Sequence, residues 1–199
     1  MLPNQKNSFI IPSKDLCFPN SDRPCNSALY VAKPYPENTA GIYLDKSLAQ
    51  FNNQNAEIQF KITNDISGHL ILAVQGNFGQ DYVSGYYAFI GREYRFPDSG
   101  IYICIEKAYR GGNQLLNPVK IGDNLNPNAF YSIKINSIKY QDRIEINAKL
   151  FEYSNGSWNL VKETSYTDYS GIITGPYTYF GPAFQDSNVY FDNYVISWS

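Results

Sequence analysis

The residues best placed for acid–base chemistry are two glutamates inside apolar, strand-like runs. Glu106 closes Ile101-Tyr-Ile-Cys-Ile-Glu106, and Glu145 sits in Arg143-Ile-Glu-Ile-Asn147. Glycoside hydrolysis needs two carboxyl groups roughly 5 to 10 Å apart, one of them held protonated. Glu106 and Glu145 are therefore the candidate catalytic pair, a weak one, with Glu57 and Glu152 less well placed. The competing reading is an outward, solvated glutamate paired with Lys107 or Lys149. A Ser–His–Asp triad is disfavoured. The one histidine, His69, reads as a turn or surface residue in Ile66-Ser-Gly-His-Leu70, and no Gly-x-Ser-x-Gly elbow occurs.

Sugar binding asks for less than catalysis. An exposed aromatic ring meets the C–H face of a pyranose, while amides, carboxylates and arginine bond its hydroxyls. Three segments read as long loops supply that mixture. Residues 76–84 hold Phe78, Gln80, Asp81 and Tyr82; residues 92–100 hold Tyr94 and Arg95; and residues 109–128 hold Tyr109, Arg110, Asn113 and Gln114. Tyr177 and Tyr179 alternate onto one face of a late strand. The candidate ligand-binding set is Asp81, Tyr82, Tyr94, Tyr109, Arg110, Asn113, Tyr177 and Tyr179. For any single tyrosine, a structural place in a sheet is the alternative.

Calcium takes six to eight oxygen ligands. Asp186, Asn188 and Asp192 gather oxygens before the final strand, and Asp123 with Asn124 forms a second such spot. Neither has EF-hand spacing, and both also suit ordinary turns. No cofactor is required; a bound calcium ion would be structural.

The elements that must position these groups are strands. Tyr131-Ser-Ile-Lys-Ile-Asn-Ser-Ile138 alternates apolar and polar, and Arg143 to Tyr153 repeats the pattern. The chain then turns at Ser154-Asn-Gly-Ser157 and returns from Trp158, an Asn-Gly hairpin cue. Other strand-like runs are 28–33, 56–63, 70–75, 85–90, 101–107, 177–181 and 189–198, with only Lys46 to Phe51 hinting at helix. The 199 residues include 18 Tyr and 12 Phe but one Met, a composition that favours pleated, half-buried surfaces. The expected fold is all-β, a two-sheet antiparallel β-sandwich or jelly roll.

From Ala56 to Ser197 the series of strands resembles the concanavalin A-like lectin/glucanase superfamily, including its laminin-G-like jelly rolls. The resemblance rests on Ala56-Glu-Ile-Gln-Phe-Lys-Ile62, the Tyr131 strand with its Gly-Ser-Trp turn, Gly181-Pro-Ala-Phe184 and Val189-Tyr-Phe-Asp-Asn-Tyr-Val-Ile196. It implies a concanavalin A-like sandwich binding along its concave sheet or rim loops, with structural calcium near the final strand. Two enzymatic signatures of the superfamily, Glu-x-Asp-x-x-Glu and Gln-x-His, are missing.

Cys17 and Cys25 bracket a loop with two prolines, and a disulfide there would clip residues 1–27, an irregular N-terminal arm, in an oxidising compartment. Cys104 reads as a buried core thiol. Residues 28–199 read as one β-sandwich domain. The net charge of −2 and the lack of a basic run exclude a nucleic-acid footprint, and no apolar stretch is long enough to span a membrane. The expected function is an extracellular or cell-surface, non-catalytic, lectin-like carbohydrate-binding protein whose partner is a glycan or polysaccharide. The alternatives are a polysaccharide-degrading glycosidase or lyase on the same fold, and a structural or adhesive surface, filament or virion module with a protein partner or self-assembly.

Overall fold

The structure, a computed structural model, describes residues 8–10, 29–31, 42–43, 53–62, 69–78, 83–175, 177–182 and 189–198. They form β1 (Ser8–Ile10), β2 (Leu29–Val31), β3 (Ile42–Tyr43), β4 (Asn53–Ile62), β5 (His69–Phe78), β6 (Val83–Gly91), β7 (Ile101–Tyr109), β8 (Gly112–Gly122), β9 (Phe130–Lys139), β10 (Ile144–Ser154), β11 (Ser157–Asp168), β12 (Tyr177–Pro182) and β13 (Val189–Trp198). A seven-stranded sheet runs β1-β2-β13-β4-β9-β10-β11, and a six-stranded sheet runs β3-β12-β5-β6-β7-β8. Neighbours pair antiparallel in both. The fold is thus the all-β sandwich expected from the alternating pattern.

Period-two alternation builds the core. In β10, Ile144, Ile146, Ala148 and Leu150 are buried while Glu145, Asn147 and Lys149 face the other way. Tyr131, Ile133 and Ile135 of β9 and Ala56, Ile58 and Phe60 of β4 continue the inner layer, met by Leu70, Leu72 and Val74 of β5, Tyr86, Ala88 and Ile90 of β6, and Ile101, Ile103 and Ile105 of β7. Each fully buried Leu, Ile or Phe contributes about 1.5–3 kcal/mol. Phe180 of β12 and Phe191 of β13 bridge the sheets at 5.0 Å. The β10–β11 turn is a two-residue hairpin, with Asn155 at φ 53° and Gly156 at φ 78°, as the Asn-Gly pair requires.

Two buried polar networks cross the interior at the segment joining β11 to β12. Asp168 at the end of β11 accepts hydrogen bonds from the Tyr86 hydroxyl at 2.6 Å and pairs with the Lys107 ammonium at 2.6 Å. Lys107 also donates to the Ser170 carbonyl at 2.8 Å, and the Tyr86 hydroxyl accepts from the Ile173 amide at 3.2 Å. Burial alone would raise the Asp168 carboxyl; the bonds from Lys107 and Tyr86 reverse this and hold it below its ordinary value. In the second network Gln54 accepts from the Gln75 amide at 2.8 Å and donates to the Gly175 carbonyl at 2.9 Å, while Gln75 donates to Ser137 at 3.1 Å. At Gly175 the chain runs so close to the Gly76 backbone that a Cβ has no room.

Three expectations need correction. Residues 109–128 are not a long loop: Tyr109 and Gly112 close a tight β7–β8 turn, and β8 occupies residues 112–122. This strand hides its period because it lies at the sheet edge, exposed along most of its length, with Asn117 at φ 48° beside Pro118 where the register shifts. Residues 76–84 also shrink, since β5 runs to Phe78 and β6 starts at Val83. The arm 1–27 contributes a strand, because Ser8–Ile10 pairs with Leu29–Val31. The helical turn expected at 46–51 lies outside the described residues.

Candidate functional site

A one-sided sheet alternates along each strand, yet every residue of β7 from Ile101 to Ala108 is buried. Its second face is covered. Ile71 and Ala73 of β5, Tyr87 and Phe89 of β6, and Tyr102, Cys104 and Ala108 of β7 form a separate apolar layer on the outer side of the six-stranded sheet, capped by Phe96. Phe96 lies edge-on to Phe89 at 5.7 Å and 4.4 Å from Tyr102. It belongs to residues 92–100, the one expected loop that persists. Asp98 there accepts from the Gly100 amide at 2.7 Å and pairs with Lys120 at 2.9 Å, while Arg92 donates to the Ser99 carbonyl, to the Asp123 carbonyl at 2.6 Å and to the Asn124 side chain at 2.7 Å.

This segment brings a polar line to the buried face. Glu106, 6% exposed, accepts a hydrogen bond from the Asn113 side-chain amide. The Asn113 carbonyl oxygen accepts from Arg95 at 3.3 Å, and Arg95 reaches Glu93 at 3.4 Å. Burial pushes the Glu106 carboxyl above its ordinary value, with Glu93 adding to the rise; the bond from Asn113 and the charge of Arg95 oppose it without cancelling it. Tyr94 stands out into solvent at 92% exposure, with Arg95 5.7 Å from its ring. Tyr109, 42% exposed, folds back over Gly112, and Arg110 is exposed in the same turn. The backbone pairing Ala108↔Asn113 sets this turn beside the polar line.

Of the eight candidate ligand residues, Tyr109, Arg110 and Asn113 share the β7–β8 turn at one end of the six-stranded sheet, and Tyr94 is tied to them through Arg95, which reaches Asn113 from residues 92–100. Gly85 opposes Ala108 there, so β6 starts and β7 finishes at that end. Asp81 and Tyr82 lie outside the described residues. Tyr177 and Tyr179 belong to β12, where Tyr177 pairs with Gly76 and Tyr179 with Ala73.

The carboxylate pair Glu106 and Glu145 is not brought together. Glu106 faces outward from the six-stranded sheet and Glu145 from the seven-stranded one, where Arg143 holds it at 2.9 Å. Lys107 turns inward to Asp168, and Lys149 pairs with Glu163 at 3.1 Å, so neither lysine neutralises its sequence neighbour. His69 is not a turn or surface residue. It is 7% exposed and stacks on Phe89 at 4.3 Å; burial and then the charge of Arg95 lower its pKa to about 4. Glu93 was the missing member of the constellation, and Arg95, named in its loop, was left out of the candidate set; the signal for both was the unbroken apolar run at the start of β7, which demands a cover.

Oxygens at Asp123 and Asn124 are engaged by Arg92 and Lys120. Asp192 accepts from the Asn193 amide at 2.8 Å in a bulge of β13, while Asp186 and Asn188 lie outside the described residues. Among the described residues no group of three or more His, Cys, Asp or Glu side chains is arranged to hold a metal ion. Cys17 and Cys25 fall outside them too. Cys104 is a free, buried thiol whose pKa burial pushes up.

No family model matches the chain, and no curated protein matches it. Among solved structures it is similar to the VIP36 exoplasmic/lumenal domain. The metal-free form superposes with a TM-score of 0.60 at 11% identity, covering 98% of this chain and 92% of that one. The Ca2+/Man-bound form gives 0.57 at 9% identity, covering 98% and 91%. A carbohydrate-binding module, CBM66 from Bacillus subtilis, is a looser match, with a TM-score of 0.45 at 15% identity over 86% of this chain and 81% of that one. The likeness to VIP36 establishes the architecture as a concanavalin A-like sandwich.

Proposed function

We propose that this chain is a non-catalytic, lectin-like carbohydrate-binding protein whose site lies at the end of the six-stranded sheet. The observation behind this is the solvent-exposed Tyr94 ring standing beside the Arg95–Asn113–Glu106 line. The ring offers an apolar plate for a sugar C–H face, and Tyr109 offers a second one. Arg110 and Arg95 donate, Glu106 accepts, and Asn113 does both, which matches hydroxyls that are themselves donors and acceptors. The fold is shared with VIP36, a domain known in a Ca2+/Man-bound form, and an extracellular or lumenal setting follows from the same analogy. Asp186, Asn188 and Asp192 are the proposed oxygen donors for a structural calcium ion.

The test is a glycan-array screen of the purified chain with calcium and again with EDTA, repeated with Tyr94→Ala and Asn113→Ala. Tyr94 is 92% exposed, so its removal leaves the fold intact while binding falls about tenfold. An array blank under both conditions, or variants that bind like the parent, refutes the assignment. Loss of binding in EDTA supports the calcium ion.

One observation favours a second reading, a polysaccharide-degrading enzyme: the raised carboxyl of Glu106 feels a second carboxylate, Glu93, across the same buried face. That reading requires product release from a polymeric substrate and its abolition in Glu106→Gln with binding preserved.

A further inference from the structure

The opposite outer face of the sandwich carries an ordered pattern of its own. In the seven-stranded sheet, Ser197 of β13, Asn55 of β4, Asn136 of β9, Asn147 of β10 and Ser165 of β11 stand directly opposite one another. These residues form one row perpendicular to the strands. The next row, two residues along, is Val195, Glu57, Lys134, Lys149 and Glu163. Adjacent strands are about 4.8 Å apart, so the first row spans about 19 Å. A depression of about 270 Å³ lies over both rows, with Asn55, Asn136 and Asn147 on one side and Glu57, Lys134 and Lys149 on the other.

Hydrogen-bonding capacity in the amide row is largely unspent. Among the described residues the side chains of Asn55 and Asn136 make no hydrogen bond, and Asn147 makes one long bond, at 3.4 Å, to the Thr164 carbonyl. The charged row is neutralised internally, Lys134 by Glu57 at 2.9 Å and Lys149 by Glu163 at 3.1 Å. Donors and acceptors therefore line a face with no surplus charge. A nucleic acid would need free cations, and here the cations are spent. A protein interface would need an apolar centre with aromatics, yet among the described residues Val195 is the one exposed large hydrophobic side chain lining the depression. An added peptide strand is excluded because β4, β9 and β10 are interior strands, paired on both sides.

We propose that this face is a second binding platform, for an uncharged, hydroxyl-rich polysaccharide chain lying across the strands along the Asn55–Asn136–Asn147 row. The strand spacing brings a fresh amide under the chain about every 4.8 Å, close to the rise of one sugar ring in an extended polymer. Each amide supplies two donors and one acceptor to hydroxyls that need both. The row crosses five strands, which suits a polymer and exceeds one sugar unit. The Tyr94 site plays no part in this inference, which stands or falls separately.

The experiment is native affinity electrophoresis in gels cast with galactomannan, laminarin, hydroxyethylcellulose or dextran. The parent chain is compared with the triple variant Asn55→Ala/Asn136→Ala/Asn147→Ala and with Tyr94→Ala. At least one neutral polymer should retard the parent, the triple variant should lose about tenfold or more in apparent affinity, and Tyr94→Ala should stay retarded by that polymer. No retardation of the parent in any gel overturns the proposal, as does a triple variant that behaves like the parent. So does sedimentation showing that the parent self-associates and the triple variant does not, which would make this face an interface between copies. Should the triple variant fail to fold, the side-chain amide signals of the three asparagines in the parent's 15N NMR spectrum decide. They must shift with oligosaccharides of the retarding polymer, and unmoved signals overturn the proposal.

Discussion

Removing the Asp168 carboxylate should be the most damaging single truncation in the interior. In Asp168→Ala the Tyr86 hydroxyl loses its 2.6 Å acceptor and the buried Lys107 ammonium loses its counter-ion, keeping only the Ser170 carbonyl. Breaking a buried ion pair by deleting one partner costs about 3–5 kcal/mol, because the remaining charge stays desolvated. A chain of this length melts about 2–4 °C lower per kcal/mol, so the expected drop is about 6–20 °C. Glu163→Gln breaks an ion pair whose side chains are 40% and 52% exposed, and it should cost no more than about 1 kcal/mol. The assay is thermal melting of both variants from pH 3 to 8. The sign of the pH effect is fixed: the folded Asp168 carboxyl lies below its unfolded value, so its stabilisation is present above that value and lost as pH falls through the folded one. The deficit of Asp168→Ala should therefore be constant at neutral pH and close up in acid. A melting point within 2 °C of the parent at pH 7, or a deficit that grows in acid, would refute the buried network.

Two further outcomes follow from the layer beneath residues 92–100. His69 is the single histidine, so its NMR ring signal needs no assignment; it should titrate near pH 4, and an ordinary value near 6.5 would mean the ring is not buried against Phe89. The unfolded chain protonates first, so stability should rise with pH between about 4 and 6.5 by about 3 kcal/mol, a slope that His69→Phe abolishes. Cys104, with no exposed surface and a raised pKa, should resist thiol reagents in the folded protein and react only on denaturation; fast labelling in native buffer would place it elsewhere.

The inner layer was legible because β9 and β10 alternate cleanly and because Asn155-Gly156 names its own turn. Strand β8 was not, since an edge strand has no buried face to impose a period, and Pro118 with Asn117 reads as a loop when the bulge that accommodates them is unseen. The site was half legible. Tyr94, Tyr109, Arg110 and Asn113 could be picked as polar–aromatic loop residues, but their convergence depends on residues 92–100 folding back over β6 and β7. The amide row is harder still. Asn55, Asn136 and Asn147 are scattered in sequence, and only strand register places them side by side.

What separates the end of the six-stranded sheet from ordinary structure is the environment of Glu106. A carboxylate buried for stability alone would meet a cation directly, as Asp168 meets Lys107 at 2.6 Å. Glu106 instead touches the neutral Asn113, with Arg95 one step away on that asparagine's carbonyl. Its carboxyl is raised, so in the folded state it favours the proton, and that contribution to stability is present at low pH and fades as pH rises through the folded value. Glu106→Gln keeps an acceptor for Asn113 and carries no charge to desolvate. It should therefore melt higher than the parent at pH 8 and lose that advantage at pH 4, while glycan binding weakens at both. Such a trade of stability for a buried acceptor without a direct counter-ion is what a binding site selects and a packing site does not. A variant less stable than the parent at pH 8 would instead make Glu106 a structural residue.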